Sequence, residues 1–402
     1  MEAVRDRADT SARTPSTKRA RIAGTVFAVV ALSIWVGGHV YMARALVLSL
    51  HAPRPLEHLG ITILTVLAAA LVLQPIAEWR LGPRAVRPLT WVASVWMGLA
   101  FFLVLLLLLS APFAAIASAS SWLGPPEARV RAAFVVVGAV ALAGYAFASG
   151  WRSPIVTRRE VALERLPRGL DGFRIVQISD IHIGPLLDRS FASDLVHRVG
   201  RLEPDLIAVT GDLVDGSVDR LRDEVAPFGE LAAPHGVWFV TGNHDYYSGV
   251  VEWTDQLRRL GIRVLENERV AIETQGGCFE LAGVNDRMGA LFGPEHASDL
   301  ETALRGWQGE RALVLLAHDP TTFHQAWRHG IDLQISGHTH GGQLWPIGLL
   351  VKLFVGYVAG PYRRGDSQLL VSCGSGFWGP PMRFGAPPEI TEIVLRSAAP
   401  AP

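Results

Sequence analysis

The stretch RIVQISDIH, residues 174–182, reads as a buried strand that runs straight into an aspartate and a histidine. Two later stretches repeat the plan, LIAVTGDLVD at 206–215 and GVWFVTGNHD at 236–245. In each, a short apolar run rich in β-branched or aromatic side chains ends in glycine and acidic or imidazole groups. Runs that are apolar at consecutive positions imply strands buried on both faces. Between them lie helical patterns at about 188–202, with Asp188 placed to cap the first turn, and at 218–231. The same reading places strands near 264, 279–282, 312–316 and 332–336, and helices near 251–260, 295–306 and 321–329. Beyond Gly341 the helical period fades, which predicts hairpins and loops with strands at 369–372 and 389–395. The expected fold class is a mixed α/β sandwich.

Chemistry-bearing residues sit just past these strand ends, where ligands bind in α/β folds. They are Asp180-Ile181-His182, then Gly211-Asp212 with Asp215, Gly242-Asn243-His244-Asp245, His318-Asp319, and Gly337-His338-Thr339-His340-Gly341-Gly342. A lone histidine after a strand is ordinarily a loop residue. Five clusters at the same end of successive strands are not explained that way. Unpaired carboxylates and imidazoles are costly to bury, so a convergent set binds something cationic. Mixed oxygen and nitrogen donors suit manganese, iron or zinc. The two cysteines, Cys278 and Cys373, stand in no metal-binding spacing and read as isolated thiols.

The order of blocks, D-x-H, G-D-x-x-D, G-N-H-D, H and G-H-x-H, resembles the calcineurin-like metallophosphoesterase superfamily over about Asp171 to Leu395. Gly337 to Gln343, with the tail Pro381-Met382-Arg383-Phe384 and Pro387-Pro388-Glu389-Ile390, is similar to its bacterial membrane-associated phosphodiesterases. The resemblance implies a four-layer αββα sandwich over 171–397 and two divalent metal ions. It assigns Asp180, His182 and His340 to the first ion, Asn243, His318 and His338 to the second, and Asp212 to both. It gives His244 the role of general acid, or of electrostatic stabiliser of the transition state. Asp215 and Asp245 are expected to orient histidines from outside the ligand set, with a turn or cap role equally open. His197, His235, His296, His324 and His329 lack partners at motif spacing. Arg363 and Arg364 read as a solvated pair rather than a phosphate clamp.

Half of the 402 residues are hydrophobic, and the excess lies before residue 151. Apolar runs at about 22–43, 59–77, 90–115 and 132–151 each approach or exceed the roughly 20 residues that span a bilayer. None shows the polar stripe of a soluble core helix. Ala43-Arg44-Ala45 faintly resembles a signal cleavage site, but the run before it is long for a signal core. Lysine and arginine are dense in the tail 1–21, in the loop with Arg80, Arg84 and Arg87, and after the fourth span. The alternate loops carry only Arg44, Arg54, Arg129 and Arg131, which predicts both termini and the catalytic domain in the cytoplasm of a bacterial cell. Residues 152–170 are expected to be a linker. His39 and Gln74, near span ends, are expected to be satisfied at the membrane interface.

With 37 basic and 37 acidic residues the net charge is zero, so no nucleic-acid partner is expected, nor is an obligate protein partner. The function expected is a membrane-anchored, metal-dependent phosphoester or phosphodiester hydrolase, the anchor favouring a lipid or nucleotide-linked lipid substrate. The alternative is a membrane sensor or scaffold that binds a phosphorylated ligand without turnover. The full ligand set and His244 count against it. A transporter reading lacks charged groups within the spans.

Overall fold

A computed structural model describes residues 17–119 and 125–398, so most of the basic tail expected at 1–21 lies outside the described residues. Four long helices come first: α1 Thr17–Leu46, α2 Arg54–Leu81, α3 Pro83–Ala119 and α4 Pro125–Gly150. Each contains a segment long and apolar enough to cross a membrane. Side chains such as Ile34, Phe113, Phe134 and Val137 point outward, as lipid-facing residues do. The helices outrun the expected spans because flanking charges extend a helix without entering the hydrocarbon. The 37 residues of α3 cover about 55 Å, against a hydrocarbon core of about 30 Å. Its first turns therefore stand clear of that core and lie along the soluble domain. There Trp91 stacks on Trp151 at 5.4 Å and Arg87 pairs with Asp188 at 3.1 Å.

The soluble part holds two six-stranded sheets. In spatial order the first is β1 Ile155–Leu163, β12 Glu389–Ser397, β2 Arg174–Ile178, β3 Leu206–Thr210, β4 Val237–Val240 and β5 Arg263–Val264. The second is β10 Gly360–Arg364, β11 Ser367–Val371, β9 Leu333–Ser336, β8 Leu313–Leu316, β7 Gly277–Gly283 and β6 Glu268–Thr274. Strict alternation sorts the side chains into layers. On β3, Leu206 and Ala208 enter the core between the sheets, while Ile207 and Val209 face the other way. There α5 Arg189–Gly200, α6 Val218–Val225 and α8 Val250–Arg259 cover them. On β8, Val314 and Leu316 point inward, and Leu313 and Leu315 meet α9 Leu300–Ala303 and α10 Phe323–Ala326. The result is the expected helix–sheet–sheet–helix sandwich. Asp188 caps α5, its carboxylate accepting from Ser190 N–H at 3.1 Å.

Four readings change. The stretch expected as a linker carries β1, paired in parallel with β12 from Ile155–Glu389 to Leu163–Ser397. Its Arg158-Arg159-Glu160 hid it, because an edge strand faces solvent with its charges and sends few side chains, here Val161 and Leu163, to the core. Strands β6 and β10, also at edges, were concealed in the same way. Helix α11, Ile347–Phe354, forms where loops were expected, because a nearly all-apolar octapeptide has no polar stripe to reveal its period. His39 is satisfied within the helix bundle rather than at the interface, accepting from Trp96 Nε1 at 3.0 Å and donating to the Trp35 carbonyl at 2.9 Å.

The sandwich docks on the helices through its tail. Met382 is buried in one cluster with Met42, Trp96 and Phe102, and Phe384 sets its ring edge-on to Phe102 and Tyr145 at 5.7 and 5.9 Å. Arg383 N–H donates to the Ala146 carbonyl of α4 at 2.8 Å.

Candidate metal centre

The loops that leave β2, β3, β4, β8 and β9 meet at one end of the sandwich. Asp180, His182, Asp212, His338 and His340 all have positive φ, between 50° and 73°. That region costs a non-glycine residue about 1 kcal/mol or more, and such strain gathers at functional sites. The neighbouring glycines make the convergence possible. A Cβ on Gly242 would meet Asp212 Oδ1 at 2.2 Å, and one on Gly337 would meet Ser179 Oγ at 2.0 Å and Asp180 Oδ2 at 2.2 Å.

The donor atoms converge in three overlapping groups: Asp180, His182 and His340; His182, Asp212 and His244; and Asp212, His318 and His338. His182 Nε2 and His340 Nε2 are 3.1 Å apart, as are His338 Nδ1 and His318 Nε2 at 3.2 Å. His318 Nε2 lies 3.2 Å from Asp212 Oδ2, and His340 Nε2 lies 3.4 Å from Asp180 Oδ1. Asn243 belongs to α7, Asn243–Tyr247, and its Oδ1 is buried with no hydrogen-bond partner. A buried amide oxygen left bare beside clustered carboxylates and imidazoles fits a cation. With oxygen and nitrogen donors throughout, these residues fit a dinuclear divalent-metal centre.

Outer partners fix the tautomers. His182 Nδ1 donates to both oxygens of Asp215 at 3.2 Å, and His318 Nδ1 to the Thr210 carbonyl at 2.7 Å. Both rings thereby present Nε2 to the centre. Asp215 also takes a 2.7 Å bond from His244 Nδ1, so it orients two imidazoles at once. Burial works against charge on His244, yet Asp215, with Asp212 and Asp245 behind it, raises its pKa to about 9. Burial likewise opposes charge on Asp215, and His182 and His244 nonetheless hold its carboxyl far below the usual range. Asp245 points away from the ligands and clamps two loops together, accepting from Gly242, Asp212 and Leu213 N–H at 2.7, 2.9 and 3.0 Å. Burial and the Asp212 charge push its pKa up to about 7.

The remaining histidines, His197, His235, His296, His324 and His329, join none of these groups. Arg363 bonds the Gly365 carbonyl, and Arg364 lies over the Trp327 ring at 3.7 Å. Three contributors escaped the sequence reading. Arg383 is fully buried and donates to the His340 and Cys373 carbonyls at 2.9 and 2.7 Å, bracing a ligand loop against the tail. Trp378 sits edge-on to His244 at 5.4 Å. Gln74, expected at the interface, lines the cavity that leads to the centre. That cavity, about 930 Å³, lies between α2 and α3 on one side and His182, Asp215, His244 and Trp378 on the other. Arg383 stands in the tail motif without a role of its own there, and a lone tryptophan or glutamine carries no local pattern that would mark a place at the site.

Residues 173–342 match the family model described as calcineurin-like phosphoesterase. A transmembrane protein with a metallophosphoesterase domain from Danio rerio is 39% identical over 64% of this chain, which spans 61% of that protein's length, under two thirds. An uncharacterized metallophosphoesterase from Helicobacter pylori is 36% identical, the match covering 64% of this chain and 68% of that one. One from Aquifex aeolicus is 34% identical over 60% of this chain and 91% of its own length. With the family's motifs gathered at one end of its αββα sandwich, and relatives matched over most of their length, the chain belongs to the calcineurin-like phosphoesterase family.

Proposed function

We propose that the protein is a membrane-anchored, metal-dependent hydrolase whose substrate presents a phosphoester or phosphodiester group at the bilayer surface, as a phospholipid or nucleotide-linked lipid would. The observation that carries this reading is the cavity. One wall of it is membrane helix, with Leu71 and Pro75 of α2 and Met97 of α3, and the opposite wall carries His182, Asp215 and His244. An acyl chain suits Leu71, Pro75 and Met97, a polar headgroup the Gln74, Glu78, Thr90 and Ser94 beside them, and a phosphoryl group the opposite wall. The positive-inside bias of the loops supports a cytoplasmic catalytic domain in this reading.

In this reading Asp180, His182 and His340 would hold one cation, Asn243, His318 and His338 the other, with Asp212 shared between them. Such ions supply Lewis acidity toward phosphoryl oxygens and lower the pKa of water. The chain supplies the rest. Asp215 accepts a hydrogen bond from His244 Nδ1–H, which favours the protonated imidazole and leaves Nε2–H to deliver a proton to the leaving oxygen. Trp378 packs against the imidazole and limits its rotation.

The test is hydrolysis of bis(p-nitrophenyl) phosphate, then of vesicle-borne phospholipids, by the full chain in nanodiscs with added manganese. Activity abolished in Asp212→Ala and cut about 10²- to 10⁴-fold in His244→Ala, with metal content kept in the latter, supports the reading. A metal-loaded protein inert toward every diester, yet binding phosphorylated ligands, would establish the sensor instead.

A further inference from the structure

Helix α11 begins five residues after Gly342 and carries one charge in eight residues. Of the large apolar side chains exposed on the soluble domain, five fall within ten consecutive positions. Trp345, Leu349, Leu350, Leu353 and Phe354 are 54, 64, 56, 74 and 81% exposed. At 100° per residue the four helical ones occupy a single face about 140° wide. Lys352, on its flank, is turned away, its Nζ donating to the Gly356 carbonyl at 2.8 Å and lying 5.0 Å from the centre of the Tyr362 ring. That is how a lysine beside an apolar surface keeps its charge out of it.

What covers this face is indicated by its neighbours. Leu344 is buried in the same cluster as membrane-helix residues Phe102, Leu103 and Ala143, and Ile347 packs against it. The start of α11 is thus packed against the helix bundle, which sets its exposed apolar face beside the helices that cross the bilayer. A face of this size on a soluble surface is unusual without a partner. A short, nearly all-apolar helix carried on a soluble domain with such a face outward fits the plane of a bilayer, at the boundary of headgroups and acyl chains.

We propose that α11 is an in-plane membrane helix, with Leu349, Leu350, Leu353 and Phe354 immersed in lipid. It follows the loop of His338 and His340, so it gives the metal-bearing end of the sandwich a second hold on the bilayer besides the spanning helices. The occupant is lipid, and the assignment stands whether or not the protein turns over a substrate.

The experiment uses the natural full chain in phosphatidylcholine vesicles containing a phosphatidylcholine with a diazirine on its acyl chain, with peptide mapping after photolysis. Adducts are expected on the peptide holding Trp345–Phe354 as well as on α1–α4, and not on α8, whose Val251 is 53% exposed. Leu350→Glu with Leu353→Glu is expected to cut the adducts on that peptide roughly tenfold with an unchanged melting temperature. Labelled spanning helices with an unlabelled 345–354 peptide would overturn the proposal. So would two copies per vesicle or nanodisc that protect α11 from lipid, which would make the face a self-association surface.

Discussion

His244 Nδ1 and Asp215 share a 2.7 Å hydrogen bond, and their coupling has a sign. The Asp215 carboxylate favours the charged imidazole, so His244 keeps its proton to higher pH than a free histidine, with a pKa raised to about 9. Positive charge brought in by metal ions moves that value down without removing the carboxylate's contribution. A rate that needs protonated His244 is complete below this pKa and is lost as pH rises through it. Asp215→Asn removes the stabilising charge, so the alkaline limb of kcat/KM is expected at lower pH than in the natural protein. A pH–rate profile for the soluble diester checks this, and an unmoved limb would assign it to another group. Asp245 acts structurally at the same scale. Asp245→Ala leaves three buried N–H groups without their acceptor, at about 3 kcal/mol in total, and a lowered melting temperature is expected.

At the scale of elements, α2 and α3 do more than cross the bilayer. Their inner turns form a wall of the cavity beside His182 and His244, where Arg220 of α6 donates to the Glu78 carbonyl at 2.9 Å. Leu71→Trp, on that wall, is expected to lower kcat/KM for a vesicle-borne substrate while leaving hydrolysis of the soluble diester and metal content unchanged. Equal losses on both substrates would show that the wall serves folding rather than binding. Strand β1 gives a second element-level expectation. A fragment beginning at Asp171 lacks β1 and leaves β12 as a bare edge, so it is expected to melt below one beginning at Ser153. Thermal unfolding of the two fragments decides it.

For the whole molecule, the sandwich and the helix bundle share a packed interface rather than a tether. Met382, Arg383 and Phe384 fill it from one side, and Phe102, Tyr145 and Ala146 from the other. Gly98 of α3 lies directly against the Met382 thioether, so the helix and the tail cross in close contact there. Arg383 carries the contact inward, since the residue that bonds α4 through its backbone also holds the His340 carbonyl through its side chain. Helix packing and the loop of His338 and His340 are therefore joined within one residue.

The order of amino acids by itself indicated the layers and the candidate ligand residues. Buried strands announce themselves as apolar runs, and a site built from loops that follow such strands inherits their order in the chain, as Asp180, Asp212, Asn243, His318 and His338 do. Lengths of uncharged sequence likewise determined the spanning helices. Only the tertiary structure decided what depends on contacts between distant segments. The edge strand β1 shows few buried residues of its own and becomes a strand by pairing with β12, more than 200 residues later. Asp215 is one turn residue among many until folding sets it between His182 and His244. Likewise α11, Trp378 and the inner turns of α2 and α3 acquire a role only where the sandwich meets the bundle. Local pattern reports which surface a residue buries, and the partner across that surface is settled by the fold.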